Sequence, residues 1–369
     1  MTDTGFIESA ERQELRKAVA AMAASYGSDY YLAKARAGEH TDELWAEAAK
    51  LGFVGGVNLP EEYGGGGAGM YELSLVMEEM AANGCALLML VVSPAINGTI
   101  ISKFGTDDQK QRWLPGIADG SITMRSPSPN PTPARTRTRS RPPRAATAAT
   151  GPVGGAEGVH LRRRPGAGRA GRRPHRRGQD RKPQAGVVHR ADRHPPGFTF
   201  TKIDMEIVSP ESQFQVFIDD VRLPADALVG SEDAAIAQLF AGLNPERIMG
   251  AANAIGAGRH VLGKAAEYVK TRQVWKTPIG AHQGIAHPLA QNYIEIELAK
   301  LMMQKAAALY DAGDDFGAAE AANMAKYAAG EASTKAVDQA VQSLGGNGLT
   351  KEYGVASMLT LRGWRALLR

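Results

Sequence analysis

The sequence predicts a mostly α-helical protein with a central β domain, divided into residues 1–124, 125–231 and 232–369. Three observations carry this. Apolar residues recur at helical spacing through the first 124 residues and again from about 232 onward. Between these, GFTFTKIDM and FQVFIDDVRLP alternate apolar and polar residues and are rich in β-branched and aromatic side chains, so they read as strands. The last third has Ala-rich helical faces suited to close packing in a bundle.

Taken in order, residues 12–26 form an amphipathic repeat. TDELWAEAAKL (41–51) opens with Thr41 as an N-cap and acids in its first turn. A glycine-rich connection surrounds residues 64–67. Residues 71–105 read as two apolar helices with a break at Ser93-Pro94, and 107–114 as another helix ending at Pro115-Gly116. After the strands, three helices are expected at 245–273, 283–313 and 318–344. Asn244 as N-cap and Pro245 at the first helical position would start the first of them.

Charge is unevenly placed. The chain is +4 overall, yet residues 125–195 hold 18 Arg/Lys against 3 Asp/Glu, and the rest holds 25 against 36. That block also contains 11 of the 20 prolines and no Phe, Tyr, Trp, Ile or Met. The single cysteine, Cys85, excludes an internal disulfide framework and suits a reducing compartment. MTDTGFIESAERQEL lacks the apolar core of a signal peptide. No window reaches the roughly 18 apolar residues of a membrane span. Together these point to a cytoplasmic protein. His40, His260, His282 and His287 lack paired-ligand spacing and the other four histidines lie in the basic block, so no metal site is expected. There is no dinucleotide-type G-x-G-x-x-G turn and no serine nucleophile elbow.

Five motifs in order carry a family resemblance. They are LWAEAAKLGFVGGVNLPEEYGGGGAGM, FGTDDQKQRWLPGIADGSITM, VFIDDVRLPADALVG, RQVWKTPIGAHQ and QSLGGNGLTKEYGV. With them the chain resembles the acyl-CoA dehydrogenases over about 12–124 and 197–360. In RQVWKTPIGAHQ, Trp275 stands for the usual aromatic and Lys276 stands where the family usually has glycine. The resemblance implies an N-terminal helical domain, a small β-barrel or sandwich and a C-terminal four-helix bundle. It implies FAD as cofactor, an acyl-CoA substrate oxidised to the 2-enoyl-CoA, electron-transfer flavoprotein as acceptor and a homo-oligomer, dimer or tetramer. A related acyl-CoA oxidase of the same fold is an alternative.

The basic block occupies the place of the family's flavin-facing strands. One reading makes it a disordered basic arm for nucleic acid or an anionic surface. The other makes it frame-displaced coding sequence. Met124 to Ser128 can be encoded so that one restored G yields Met-Ala-Ile-Thr-Glu, which resembles a flavin-binding strand of the family. Residues 157–164 and 189–194, read from the second base, give Lys-Val-Tyr-Thr-Ser-Gly-Ala and Ile-Val-Pro-Thr-Asp, the second running into the in-frame Pro196-Gly197. These strings favour displaced frames, a disrupted β domain and no nucleic-acid partner. Residues 361–369 behave alike, and the chain stops short of the family's final helical segment.

Abstraction of a thioester α-proton needs a carboxylate base, donors to the developing enolate oxygen and a hydride acceptor at the β carbon. Many members of the family place the base as a glutamate 21 residues after the last glycine of the G-G-N-G turn, where this chain has Arg369. Others place it near the start of the bundle, before an arginine. GLNPERIM fits that pattern, with Glu246 as base and Asn244 and Arg247 toward the substrate. The same residues also make good helix-start chemistry. By resemblance, Thr123, Met124, Arg272, Gln283, Gln342, Gly345 and Gly346 would contact FAD, Arg272 and Gln283 from a neighbouring subunit. Arg272 also reads as a solvated helix-end cation, and the glycines as a C-cap turn.

Overall fold

The computed structural model describes residues 8–124, 127–128, 149–150, 156–161, 187–188, 197–218, 224–231 and 233–363 of the 369-residue chain. Helix α1 (Ala10–Ala37) is capped by the Ser9 side chain, which accepts from the Arg12 N–H, and is kinked where Gly27 leaves helical geometry (φ 72, ψ 173). Helix α2 (Asp42–Lys50) starts where expected, but Thr41 makes no side-chain cap bond. At φ −93, ψ 49 its backbone is outside the extended geometry that turns a cap hydroxyl onto the first turn.

Helix α3 (Met70–Ala82) buries eleven of its 13 residues. The break expected at Ser93-Pro94 lies earlier, at a turn through Asn83 and Gly84. Pro94 instead sits inside a π-helical stretch, Val91–Gly98, that runs directly into α4 (Thr99–Phe104). The wider i→i+5 turn is where a helix takes up an irregular residue without stopping. Helix α5 (Asp107–Ala118) opens on a full capping box between Thr106 and Gln109. It continues through Pro115 rather than ending there. The intrahelical bond that Pro115 forgoes is to the carbonyl of Gln111, an exposed position open to solvent.

Strands β1 (Pro127–Ser128), β3 (Ala156–Leu161), β6 (Ser212–Ile218) and β5 (Phe198–Ile203) form one sheet in that spatial order. β1–β3 and β3–β6 are parallel, while β5–β6 is antiparallel with Phe200 opposite Val216. β2 (Ala149–Thr150) and β4 (Val187–Val188) pair separately. The disorder expected of residues 125–195 concerns positions that, these short strands apart, lie outside the described residues. The β5–β6 connection is tied to the N-terminal helices. Glu211 accepts from the hydroxyls of Tyr31 and Ser209, and His40 Nδ1 lies 3.0 Å from the Pro210 carbonyl oxygen.

Three long helices complete the chain: α6 (Ala235–Thr271), α7 (Gln283–Asp311) and α8 (Asp315–Leu344). A two-residue turn between β7 (Gln273–Val274) and β8 (Thr277–Pro278) joins α6 to the segment before α7. Helix α6 starts ten residues before the expected position, so Asn244 is not an N-cap and Pro245 is an interior residue. Pro245 has no N–H for the carbonyl of Ala241, four residues back. Tyr310 of α7 supplies the missing donor, its hydroxyl lying 3.0 Å from the Ala241 oxygen. A tertiary contact thus replaces the bond that would otherwise end the helix.

One core runs through both helical regions, from Val19 and Leu75 to Ile255 and Ala325. α3 lies directly on α6 because residue 256 is glycine; a Cβ there would stand 2.3 Å from the Glu78 carbonyl oxygen. Asp311 at the end of α7 caps α3, accepting from the N–H groups of Met70 (2.8 Å) and Tyr71 (2.9 Å). Two acids of the buried helix are matched by arginines from two other helices. Arg16 reaches Glu78 at 2.8 Å and Glu8 at 2.7 Å, and Arg259 reaches Glu78 at 2.6 Å and Glu79 at 2.7 Å. Burial works against the Arg16 charge, but bonds and attraction from Glu8 and Glu78 outweigh it and raise its pKa. Loss of one partner from such a set costs about 3–5 kcal/mol, because a charge is left buried and unmatched. Among the described residues, no helix is long and apolar enough to cross a membrane.

Candidate active site

The residues expected at the site fall into two groups. The first lies in the early turns of α6. Glu246 is partly exposed, and its Oε1 is 3.3 Å from Lys326 Nζ on α8. Asn244 is 2 % exposed. Its Nδ2 donates to the Asp315 carbonyl at 3.4 Å, while its Oδ1 has no hydrogen-bond partner. Arg247 Nη1 and Asn58 Oδ1 are likewise buried without a partner. Asn58 belongs to the loop before α3, and its Nδ2 donates to the Pro94 carbonyl of the π-helix at 3.5 Å. Buried polar atoms left without partners cost about 1–3 kcal/mol each, and two of these three belong to the sequence neighbours of Glu246.

Thr123 and Met124 close the described part of the N-terminal domain. Met124 is fully buried in a second cluster with Leu59, Trp113 and Ile117, and its N–H donates to Ser93 Oγ at 3.0 Å. Thr123 is partly exposed beside it.

The second group lies at the far end of the bundle. Arg272 follows the last turn of α6, Gln283 opens α7, and Gln342, Gly345 and Gly346 close α8; all five are exposed. Gly345 has φ 59, ψ −136, a conformation reserved for glycine, and a Cβ on it or on Gly346 would meet nothing within 4 Å. The turn is fastened to α6 by Asn347 Nδ2, which donates to Tyr268 Oη at 3.0 Å. A guanidinium, two carboxamides, a helix N-terminus and an open glycine turn are the donors and space that a phosphate-linked nucleotide requires. The turn between β7 and β8 explains why glycine suits position 276: Trp275 (φ 52) and Lys276 (φ 67) are both left-handed.

Twenty-five residues of helix separate Glu246 from Thr271, about 37 Å at 1.5 Å per residue. Lys326 was not among the residues singled out from sequence. Its signal was a lone lysine on an otherwise small-residue face, among Ala322, Ala325, Ala329 and Gly330.

Comparison with known proteins identifies the family. A model described as "Acyl-CoA dehydrogenase, N-terminal domain" matches residues 9–121, and one described as "Acyl-CoA dehydrogenase, C-terminal domain" matches residues 236–365. The chain is 67 % identical over 380 aligned residues to the acyl-CoA dehydrogenase FadE12 of Mycobacterium tuberculosis, covering 98 % of this chain and 92 % of that protein. The chain belongs to the acyl-CoA dehydrogenase family. An acyl-CoA dehydrogenase of Bacillus subtilis is 29 % identical, over 87 % of this chain and 85 % of that one. Among solved structures, butyryl-CoA dehydrogenase from Megasphaera elsdenii superposes with a TM-score of 0.76 at 22 % identity, covering 98 % of this chain and 95 % of that one. An electron transferring flavoprotein of Acidaminococcus fermentans superposes with a TM-score of 0.78 at 22 % identity, with the same coverage. At these identities both structures establish the fold alone. As an acyl-CoA dehydrogenase, the chain is an enzyme acting on acyl-CoA, and its family implies a flavin cofactor.

Proposed function

We propose that this acyl-CoA dehydrogenase uses FAD to convert an acyl-CoA thioester to its 2-enoyl-CoA, with Glu246 as the base. The observation that carries the reading is a partly exposed carboxylate on α6 whose sequence neighbours Asn244 and Arg247 each keep a buried polar atom without a partner. FAD would supply the acceptor for the β hydride. Glu246 takes the α proton. Arg247 and Asn244 offer a donor and an acceptor to the thioester end of the substrate. Thr123 and Met124, at the entry to the β domain, would lie toward the flavin, Met124 from the buried cluster beside Thr123. Arg272, Gln283, Gln342, Gly345 and Gly346 hold the adenosine pyrophosphate of FAD bound to a neighbouring copy.

With about 37 Å of helix between the two groups, this reading calls for a homo-oligomer in which two copies share each flavin, and exposed apolar residues on α7 and α8 (Ile294, Leu298, Leu301 and Tyr327) offer a surface for it. Electron-transfer flavoprotein is the expected acceptor, and the cytoplasm the expected compartment. The test is Glu246→Gln in the flavin-loaded enzyme. Turnover should fall by about 10²–10⁴, the usual contribution of a general base, with the flavin band retained. Unchanged turnover would remove Glu246 from the role.

A second reading concerns the basic block. Its family-like strings in displaced frames favour a coding sequence that has lost the flavin-facing strands. The purified chain would then be colourless and fail to reduce dye, and the DNA across codons 124–196 would show the frame changes. A yellow, active protein from an undisturbed gene refutes this. A mobility shift with nucleic acid that depends on residues 125–195 and weakens steeply with salt would instead establish the basic-arm alternative.

A further inference from the structure

We propose that Lys326 is the positioning residue for the Glu246 carboxylate; this rests on the reading of Glu246 as the base. Glu246 has a side chain that is 38 % exposed, on a helix face where a glutamate can take several rotamers. Lys326 is 16 % exposed and projects from the adjacent helix, with Nζ 3.3 Å from Glu246 Oε1.

Two features fix the lysine. Its stem lies across Gly250, one turn after Glu246 on α6, where an added Cβ would come 3.7 Å from Lys326 Cε. Its neighbours one turn away on α8, Ala322 and Gly330, are small and buried and offer the ammonium no polar group in competition with Glu246. A largely buried ammonium needs an opposing charge. The lysine is therefore held toward Glu246, and it selects one carboxylate rotamer out of the set. A base must stand within hydrogen-bond reach of the proton it removes, and a displacement of about 1 Å can cost around a hundredfold in rate. Lys326 acts through Glu246, the group it contacts.

The test compares Glu246→Gln, Lys326→Met, Lys326→Gln and Lys326→Arg in the full chain, each checked for an unchanged melting profile. Lys326→Met and Lys326→Gln should lower kcat about tenfold or more, with KM within about twofold. Lys326→Arg should restore kcat to within about threefold, because it keeps the cation. A purely structural lysine would change stability without that split and that rescue.

A second readout does not depend on turnover. Carbodiimide-driven coupling of Glu246 to added glycine ethyl ester, followed by peptide mass spectrometry, should run at least about fivefold faster in Lys326→Met, because in the parent the Lys326 amine captures the activated carboxyl as an intrachain amide. If Glu246→Gln abolishes turnover while Lys326→Met leaves kcat within twofold and amidation unchanged, the positioning role is refuted and the base assignment stands. If Glu246→Gln leaves turnover intact, the base assignment falls and the positioning role falls with it.

Discussion

Replacing Tyr310 with phenylalanine isolates the bond that lets α6 pass through Pro245. The substitution keeps the ring, which is 6 % exposed, and removes only the hydroxyl that donates to the Ala241 carbonyl at 3.0 Å. Lys103 Nζ, 4.4 Å from the ring centroid, keeps its cation–π contact. Burial raises the Tyr310 pKa, so the hydroxyl is a donor throughout the working pH range. What is lost is one hydrogen bond, and a carbonyl that Pro245 cannot satisfy is left behind. Such a group costs about 1–3 kcal/mol. For a chain of this size that is a fall in melting temperature of about 1.3–4 °C, read by differential scanning fluorimetry. Pro245→Ala provides the control, because it returns an N–H four residues after Ala241. In that background Tyr310→Phe should cost about 1 kcal/mol less than in the parent. A melting temperature within about 1 °C of the parent for Tyr310→Phe, or an equal loss in both backgrounds, refutes the compensation.

Three further expectations follow from single sites. Lys276→Gly should stabilise the chain by about 0.5–1 kcal/mol by relieving a left-handed lysine, and a lowered melting temperature would contradict the strain. Burial, reinforced by the charge of Lys264, pushes His260 down to about 4 from an ordinary value of 6.5. The unfolded state then binds the proton first, so about 3 kcal/mol of stability present above pH 7 is lost as pH falls from about 6.5 to about 4. His260→Asn should flatten that slope in denaturant melts, and an unchanged slope would exclude His260 as its source. Burial pushes the Cys85 thiol up to about 12, so an aromatic disulfide reagent at pH 8 should label it only after unfolding; labelling of the native protein within minutes would contradict its burial.

The helices were legible because their faces repeat, and α7 and α8 lie within a few residues of their expected limits. Proline misled three times. At Pro94 and Pro115 the local rule says stop and at Pro245 it says start, but a π-turn at Pro94, an exposed carbonyl at Pro115 and Tyr310, 65 positions downstream of Pro245, remove the penalty. No local pattern reports such a partner. The two site groups were readable as residues, because their motifs are contiguous in sequence. Their separation became visible only once α6 was measured as one helix. Lys326 went unnoticed because its meaning depends on Gly250 and Glu246 of another helix.

The cap that Asp311 places on α3 has a consequence for synthesis on the ribosome. The groups it joins are 241 and 240 positions apart in the chain, and Arg259 meets Glu78 across 181. At about 5–20 residues per second, α3 waits roughly 10–50 s after emerging before its cap exists. During that interval its apolar surface and the paired acids Glu78 and Glu79 have only α1 and their nearest neighbours to cover them. The N-terminal helices of the nascent chain therefore keep this surface uncovered until α7 has been made.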